Sequence, residues 1–179
     1  MNGPEPGHMQ GSAPVMTKTI LEPDLGREYS YLRDSQVGQL VHSAGVVITA
    51  VNGLRLIYCS GKTATDDGAD SPVARDTIVG VGDIAEQTRQ VCRNLQRVLA
   101  SAGATMDDVV RVRVYVVEPM SRDAFSKIHD ARSEFFSPSH YPASTLVIVS
   151  GLARPDALIE MDADAVTSVE APCRLQHQS

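Results

Sequence analysis

The chain has 179 residues and a formal net charge of −6 at pH 7, with 42% hydrophobic and 21% charged residues. This length suits one domain with a single hydrophobic core, and the acidic balance argues against a nucleic-acid-binding surface. The sequence has no run of about 18 apolar residues and no signal pattern, so we expect a cytoplasmic protein without a membrane span. Its three cysteines, Cys59, Cys92 and Cys173, are widely spaced, so we expect neither a disulfide framework nor a zinc site.

Composition separates the ends of the chain from its middle. Residues 1–16 are rich in Gly and Pro and lack periodicity, so we expect them to be disordered, and their Gly-His-Met is typical of a cleaved tag. We expect residues 17–43 to form an N-terminal extension and residues 170–179 to form a flexible tail. The folded domain is expected over residues 44–169.

Five strands are predicted within that domain, at residues 46–50, 54–61, 109–118, 144–150 and 157–166. The third and the last alternate apolar with polar residues, so each has one face to bury. We expect the other face of these two strands to be polar; its residues are Arg111, Arg113, Tyr115, Glu160, Asp162 and Asp164. That face is either a solvated surface with cross-strand ion pairs or a subunit interface with a ligand cleft.

Two helices are also predicted. The first begins at Asp83 as N-cap, with Glu86 at capping-box spacing, and stops at Gly103. The second covers residues 121–136, and its inward side chains are expected to be Phe125, Ile128, Ala131 and Phe135. The order of strands and helices predicts an α+β domain with both helices on one face of a mixed sheet.

The segment PASTLVIVSGLARPDALIEM, residues 142–161, resembles the C-terminal signature of the YjgF/YER057c/UK114 family, also called the Rid or reactive intermediate deaminase family. That signature is a Pro-Ala-Arg start, a hydrophobic strand, a small residue, a short loop and an Ile-Glu-Met-like strand. The IYCSG strand, the segment from the first helix into the strand after it, and SEFF at the end of the second helix also match. The resemblance covers about residues 44–166.

The resemblance implies a chorismate-mutase-like fold that forms a homotrimer, with sheets lining the centre and clefts for a small-molecule substrate between subunits. Deaminase-type members hydrolyse an enamine or imine to a carbonyl compound and ammonia. Their arginine pairs with a substrate carboxylate, and no metal or organic cofactor is implied. In such a trimer the charged sheet face is interface rather than a solvated surface.

Three residues match the family's site by sequence. Glu160 is the signature glutamate, which can orient water or carry a proton. Its alternative role is a salt bridge with Arg111 or Arg113. Ser60 and Gly61 match a Ser-Gly pair whose hydroxyl or N–H can hold a substrate oxygen, although the pair also suits a simple strand-ending turn.

His129 lies where many deaminase-type members have an asparagine on the second helix. Because imidazole titrates near neutrality, His129 is a candidate proton partner of Glu160. The alternative is a helix-edge histidine with an ordinary hydrogen bond.

Ser144 stands at the position of the signature arginine. A hydroxyl has neither the charge nor the fork of a guanidinium, so it cannot clamp a carboxylate in the same way. Leu146 lies where some members have cysteine, so we expect Ser144 and Leu146 to line a reshaped substrate pocket. Arg113 is a candidate for the missing cation and Arg154 a weaker one, although pairing of Arg113 with a carboxylate of the neighbouring strand is the plainer interpretation.

Three hypotheses of function follow. The first is a Rid-like hydrolytic deaminase that acts on a small enamine, imine or unsaturated amino acid in a specific pathway. The second keeps the acid–base groups but changes the reaction to tautomerisation, dehydration or ring closure. The third is a non-catalytic trimer that binds a metabolite or another protein.

Overall fold

The computed structural model describes residues 16–21, 43–50, 53–66 and 77–168. The predicted disordered segment except Met16, most of the N-terminal extension and the predicted tail lie outside these residues. Within the described ranges, no helix is long and apolar enough to cross a membrane.

The strands are β1 (Thr17–Leu21), β2 (Gly45–Thr49), β3 (Leu54–Lys62), β4 (Val109–Val117), β5 (Ala143–Val149) and β6 (Ile159–Ser168). They form one six-stranded sheet in the order β1-β2-β3-β6-β4-β5. Neighbours pair antiparallel except for β4 and β5, which pair parallel. A parallel pair needs a crossover connection, and the second helix, between β4 and β5, provides it.

Strand β1 lies within the N-terminal extension, where the sequence predicted no strand. It pairs antiparallel with β2, from Thr17 opposite Thr49 to Leu21 opposite Gly45. Only Leu21 among its side chains is buried, so this edge strand has no apolar face from which it could have been recognised.

The first helix, α1 (Ile84–Ser101), begins and ends as predicted. The Asp83 carboxylate accepts hydrogen bonds from the backbone N–H groups of Ala85 and Glu86, at 2.9 and 3.2 Å. Gly103 follows the helix with a φ of 71°, a left-handed conformation that suits a helix-ending glycine. The second half of the predicted capping box does not form. The Glu86 carboxylate pairs with Arg93 at 3.2 Å, and the N–H of Asp83 donates to the Gly80 carbonyl instead.

The second helix, α2 (Arg122–Ser133), is shorter than predicted and turns one aromatic side chain outward. Ile128 and Ala131 are fully buried, as expected. The prediction that Phe125 points inward is wrong, because Phe125 is 43% exposed and its ring lies 4.3 Å from that of His129, centroid to centroid. Phe136, beyond the end of the helix, is buried instead.

The core lies between the sheet and the two helices. The apolar faces predicted for the alternating strands are confirmed, since all of the following side chains are at most 2% exposed: Val112, Val114, Val116, Ile159, Met161, Ala163 and Ala165. Burying a side chain such as Val or Ile stabilises a fold by about 1.5–3 kcal/mol, so these strands are fixed with the polar face outward.

Arg132 of α2 is buried with hydrogen-bond donors that no described residue satisfies, which lowers the stability of the fold. It is 7% exposed, and among the described residues its Nε and Nη1 atoms have no hydrogen-bond acceptor. Burial lowers the pKa of its guanidinium. Because a buried donor without a partner costs about 1–3 kcal/mol, we expect Arg132→Met to raise the free energy of unfolding by about 1–3 kcal/mol in urea denaturation.

The matched control is Arg122→Met at the start of the same helix, where the arginine is exposed. An exposed arginine contributes little to the packing of the core, so this change is expected to alter the free energy of unfolding by less than about 0.5 kcal/mol. A loss of stability in Arg132→Met would contradict the prediction.

Candidate functional site

The polar face of the sheet places Glu160 at the start of β6. Its neighbours Ile159 and Met161 are buried in the core, so the Glu160 side chain projects from the opposite face. Its register partner on β4 is Tyr115, which therefore lies beside it on the same face. The carboxylate and the phenol thus project side by side.

On the other side of β6, strand β3 brings Gly61 against Glu160. The pairing of β3 with β6 shifts register between Cys59 and Lys62, and Gly61 lies in this irregularity. A Cβ atom added to Gly61 would overlap Oε1 of Glu160 and lie 3.0 Å from its carboxyl carbon. The Glu160 carboxylate therefore occupies the space that any side chain at position 61 would need.

Ser60 is held by the chain segment that leads into β2. Its hydroxyl donates to the carbonyl of Ser43 at 2.6 Å, and its backbone N–H donates to the carbonyl of Ala44 at 3.0 Å. These bonds use both donors of Ser60 to fix the end of β3. The hydroxyl oxygen keeps its capacity to accept a hydrogen bond.

Arg113 pairs with two carboxylates of β6. Its Nε lies 2.5 Å from Oδ1 of Asp162, and its Nη1 and Nη2 each lie 2.9 Å from an oxygen of Asp164. The hydrogen bonds with Asp164 raise the pKa of the guanidinium. This geometry favours the ion-pair interpretation of Arg113 over the carboxylate clamp. Arg154, the weaker candidate for the cation, is 5% exposed.

Tyr115 was placed on this face by the sequence but was not recognised as a site residue. Its hydroxyl donates to Oδ2 of Asp162 at 3.4 Å. Burial and the negative charge of Asp162 raise the pKa of the phenol, so it remains a hydrogen-bond donor at neutral pH. The signal that could have identified it is its position opposite Glu160 on paired strands.

Removal of the Arg113 charge is expected to make stability depend on pH. Burial raises the pKa of Asp162 despite the nearby guanidinium, and loss of the guanidinium raises it further. A carboxyl whose folded-state pKa lies above its unfolded-state value loses stability as pH rises through the folded-state pKa. We therefore expect Arg113→Met to lower the free energy of unfolding by about 1–3 kcal/mol near neutral pH and by less at about pH 4.5. This range allows for the screening of the ion pair by solvent, since Arg113 is partly exposed.

The matched control for this prediction is Arg111→Met, on the same strand face but exposed. It should change stability by less than about 0.5 kcal/mol at both pH values. A loss in Arg113→Met that is equal at both pH values would contradict the assignment of the effect to Asp162.

Ser144 and Leu146 lie on the other face of the sheet. The parallel register places Ser144 beside Val112 and Leu146 beside Val114, which both face the core. Leu146 packs against the edge of that core, whereas Ser144 is exposed. Within one chain, these two predicted pocket residues therefore face away from Glu160.

His129 lies on the exposed side of α2, in the helix layer. Partial burial, together with the positive charge of Arg132, lowers the pKa of its imidazole, so the ring is largely neutral at pH 7. Because Glu160 projects from the opposite face of the sheet, the two proposed proton carriers do not meet within one chain. Of the predicted site residues, the structure thus places Ser60, Gly61, Arg113 and Glu160 on the polar face, with Tyr115 beside Glu160.

Comparison with known proteins gives consistent matches. A family model described as Endoribonuclease L-PSP matches residues 35–167. A RutC family protein of Pyrococcus abyssi is 44% identical over 84 residues, which are 47% of this chain and 62% of the relative. The 3-aminoacrylate deaminase RutC of Acinetobacter baylyi is 32% identical over 114 residues, which are 64% of this chain and 81% of that protein. The chain thus spans just under two thirds of the length of the Pyrococcus relatives.

A solved structure supports the same relationship. Rv2704 of Mycobacterium tuberculosis, a member of the YjgF/YER057c/UK114 family, matches with a TM-score of 0.58 and 27% sequence identity, covering 84% of this chain and all 100% of that chain. The predicted mixed sheet with two helices is therefore confirmed as the fold of this family.

Proposed function

This chain belongs to the Endoribonuclease L-PSP family, also called the YjgF/YER057c/UK114 family, and from that premise we propose that it is a hydrolytic deaminase of a small imine or enamine. The observation that carries the proposal is the Glu160 carboxylate, which is packed against Gly61 and lies beside Tyr115. The name of the Acinetobacter relative, a deaminase, supports the same reaction class.

The proposed reaction adds water across the carbon–nitrogen double bond of an imine. One imine and one water give one carbonyl compound and one ammonia, and an enamine enters through its imine tautomer. Glu160 takes a proton from the attacking water and returns it to the leaving nitrogen. Tyr115 stays protonated and donates its one hydrogen to Asp162, so beside the Glu160 carboxylate it lines the site and can accept a hydrogen bond from substrate or water.

We further propose that the complete site forms between subunits of a homotrimer. Two observations support this proposal. His129 and Glu160 lie on opposite sides of the sheet, so they cooperate only if a neighbouring chain supplies one of them. The edge strand β5 also exposes apolar side chains, with Val147 at 45% and Ile148 at 49%, which suits burial against a second copy.

The replacement of the family arginine by Ser144 limits how a substrate carboxylate can be bound at this position. Arg113 remains the candidate replacement, but its nitrogens are directed at Asp162 and Asp164. We therefore infer a substrate that needs no arginine clamp at this position, such as a cyclic imine or an unsaturated amino acid held by other groups. The net charge of −6 does not favour the RNA substrate that the family's description names.

The test is a panel of imines generated by an amino-acid oxidase, together with unsaturated amino acids, with ammonia and carbonyl product measured against the spontaneous rate. Enzyme-dependent release of both products supports the proposal. A rearranged product without ammonia would instead establish the acid–base alternative. Saturable binding without turnover would establish the non-catalytic trimer.

A further inference from the structure

Helix α1 carries a row of buried amide side chains that the sequence prediction did not single out. Gln87, Gln90 and Asn94 follow the i, i+3, i+7 spacing of one helix face and are 0%, 8% and 1% exposed. They lie next to the apolar stripe formed by residues such as Val91 and Leu95. Amides buried this deeply are expected to be fully hydrogen-bonded, and they are.

Gln87 uses its whole amide group to hold backbone outside its own helix. Its Nε2 donates to the carbonyl of Asp156 at 2.8 Å and to that of Gly80 at 3.3 Å. Its Oε1 accepts from the backbone N–H of Leu158 at 2.8 Å. The amide group of Gln87 therefore holds two loop segments, the one that precedes α1 and the one that precedes β6.

The segment held in this way leads directly to Glu160. Asp156 has a φ of 62°, which a non-glycine residue rarely adopts, so this corner needs support from its surroundings. The N–H of Leu158 is held by Gln87, while its carbonyl accepts from the N–H of Val117 at 2.9 Å. Glu160 follows two residues later, so its backbone position depends on these two hydrogen bonds of Leu158.

The same helix also holds the strand that faces Glu160. Asn94 donates to the carbonyls of Thr63 and Thr65 at 2.9 and 3.0 Å, and Gln90 donates to that of Thr65 at 3.0 Å. These residues come directly after the irregularity that contains Gly61. The amide row therefore fixes both chain segments that meet at the contact between Gly61 and Glu160.

We propose that Gln87 is a positioning residue for Glu160: it fixes the entry into β6, and so the placement of the Glu160 carboxylate against Gly61. The inference rests on the proposed catalytic role of Glu160. Gln87 itself is buried in the core and touches no reacting atom. Its effect is therefore on the rate of the chemical step rather than on substrate binding, since a displacement of about 1 Å can cost about 100-fold in rate.

The test replaces Gln87 with Met, which has a similar length but no amide, and uses Thr88→Val as the matched control. Thr88 is equally buried on the same turn, but its hydroxyl bonds only within the helix, to the carbonyl of Ile84 at 2.6 Å. Three quantities are measured: hydrogen exchange at the Leu158 amide, the carboxyl 13C signal of Glu160, and kcat and KM for ammonia release. Gln87→Asn, which keeps an amide but shortens its reach by one methylene, is the milder second variant if the Met variant does not fold.

In the Gln87 variant we expect faster exchange at Leu158, a displaced Glu160 signal, and a kcat lowered about 10- to 100-fold with KM within about threefold. Thr88→Val should leave all three near the wild-type values. The proposal is overturned if the Glu160 signal is unchanged in the Gln87 variants, or if Thr88→Val changes it equally. If the wild type itself releases no ammonia, the deaminase proposal fails, while the Glu160 signal and the exchange at Leu158 still decide the positioning role.

Discussion

Glu160→Gln is expected to lower the rate of ammonia release by about 10²- to 10⁴-fold and to leave the fold unchanged. Glutamine has nearly the same shape, so the space beside Gly61 stays filled. An amide, however, cannot take a proton from water or return it to a leaving nitrogen. The measurement is kcat for the best substrate of the imine panel, with circular dichroism and the thermal midpoint as checks on the fold.

The control for this prediction is Asp164→Asn, which removes a carboxylate from the same face of β6. Asp164 pairs with Arg113, and Arg113 keeps its second partner, Asp162, in this variant. We expect its kcat to stay within about tenfold of the wild type, since no proton transfer is lost. Equal losses in both variants would indicate that the charge of the sheet face matters rather than the chemistry of Glu160.

The parts of the fold that local pattern determines were predicted from the sequence. The alternation around Val114 and Met161 fixed which strand faces are buried, because a one-residue shift would expose every apolar side chain. The start of α1 at Asp83 followed from its capping side chain. Strand β1 was missed because an edge strand with exposed side chains has no apolar periodicity, and Phe125 was misplaced because an aromatic residue on a helix was taken to be core.

The candidate site was predictable only in part. Strand parity and the family signature placed Glu160 and Gly61 on the sheet where the structure has them, but the close contact between them depends on the irregular pairing of β3 with β6. The opposite orientation of Ser144 depends on the parallel register of β5 with β4, which is a long-range pairing. The role of Gln87 was equally inaccessible, because its partners lie up to 71 residues away along the chain.

Gly61→Ala is expected to displace the Glu160 carboxylate with only a small loss of stability. The φ angle of Gly61 is not in the left-handed region, so the backbone itself tolerates alanine, and the obstacle is the overlap of a Cβ atom with Oε1 of Glu160. Oε1 is the end of a flexible side chain on the polar face, so the carboxylate can turn aside and relieve most of this overlap, unlike an atom of a packed core. We therefore expect a loss of less than about 1 kcal/mol in urea denaturation, together with a fall in kcat of about 100-fold.

A double-mutant cycle separates this contact from a general intolerance of alanine at position 61. In a Glu160→Ala background the carboxylate is absent, so Gly61→Ala should leave the free energy of unfolding nearly unchanged, and the coupling energy should equal the loss of up to about 1 kcal/mol that the change causes beside Glu160. Gly151→Ala is the matched control, because a Cβ there meets no atom within 4 Å. It should be neutral or stabilising by up to about 1 kcal/mol. Equal destabilisation by Gly61→Ala in both backgrounds would mean that Glu160 does not occupy the space beside Gly61, and the geometry on which the proposed site depends would then be wrong.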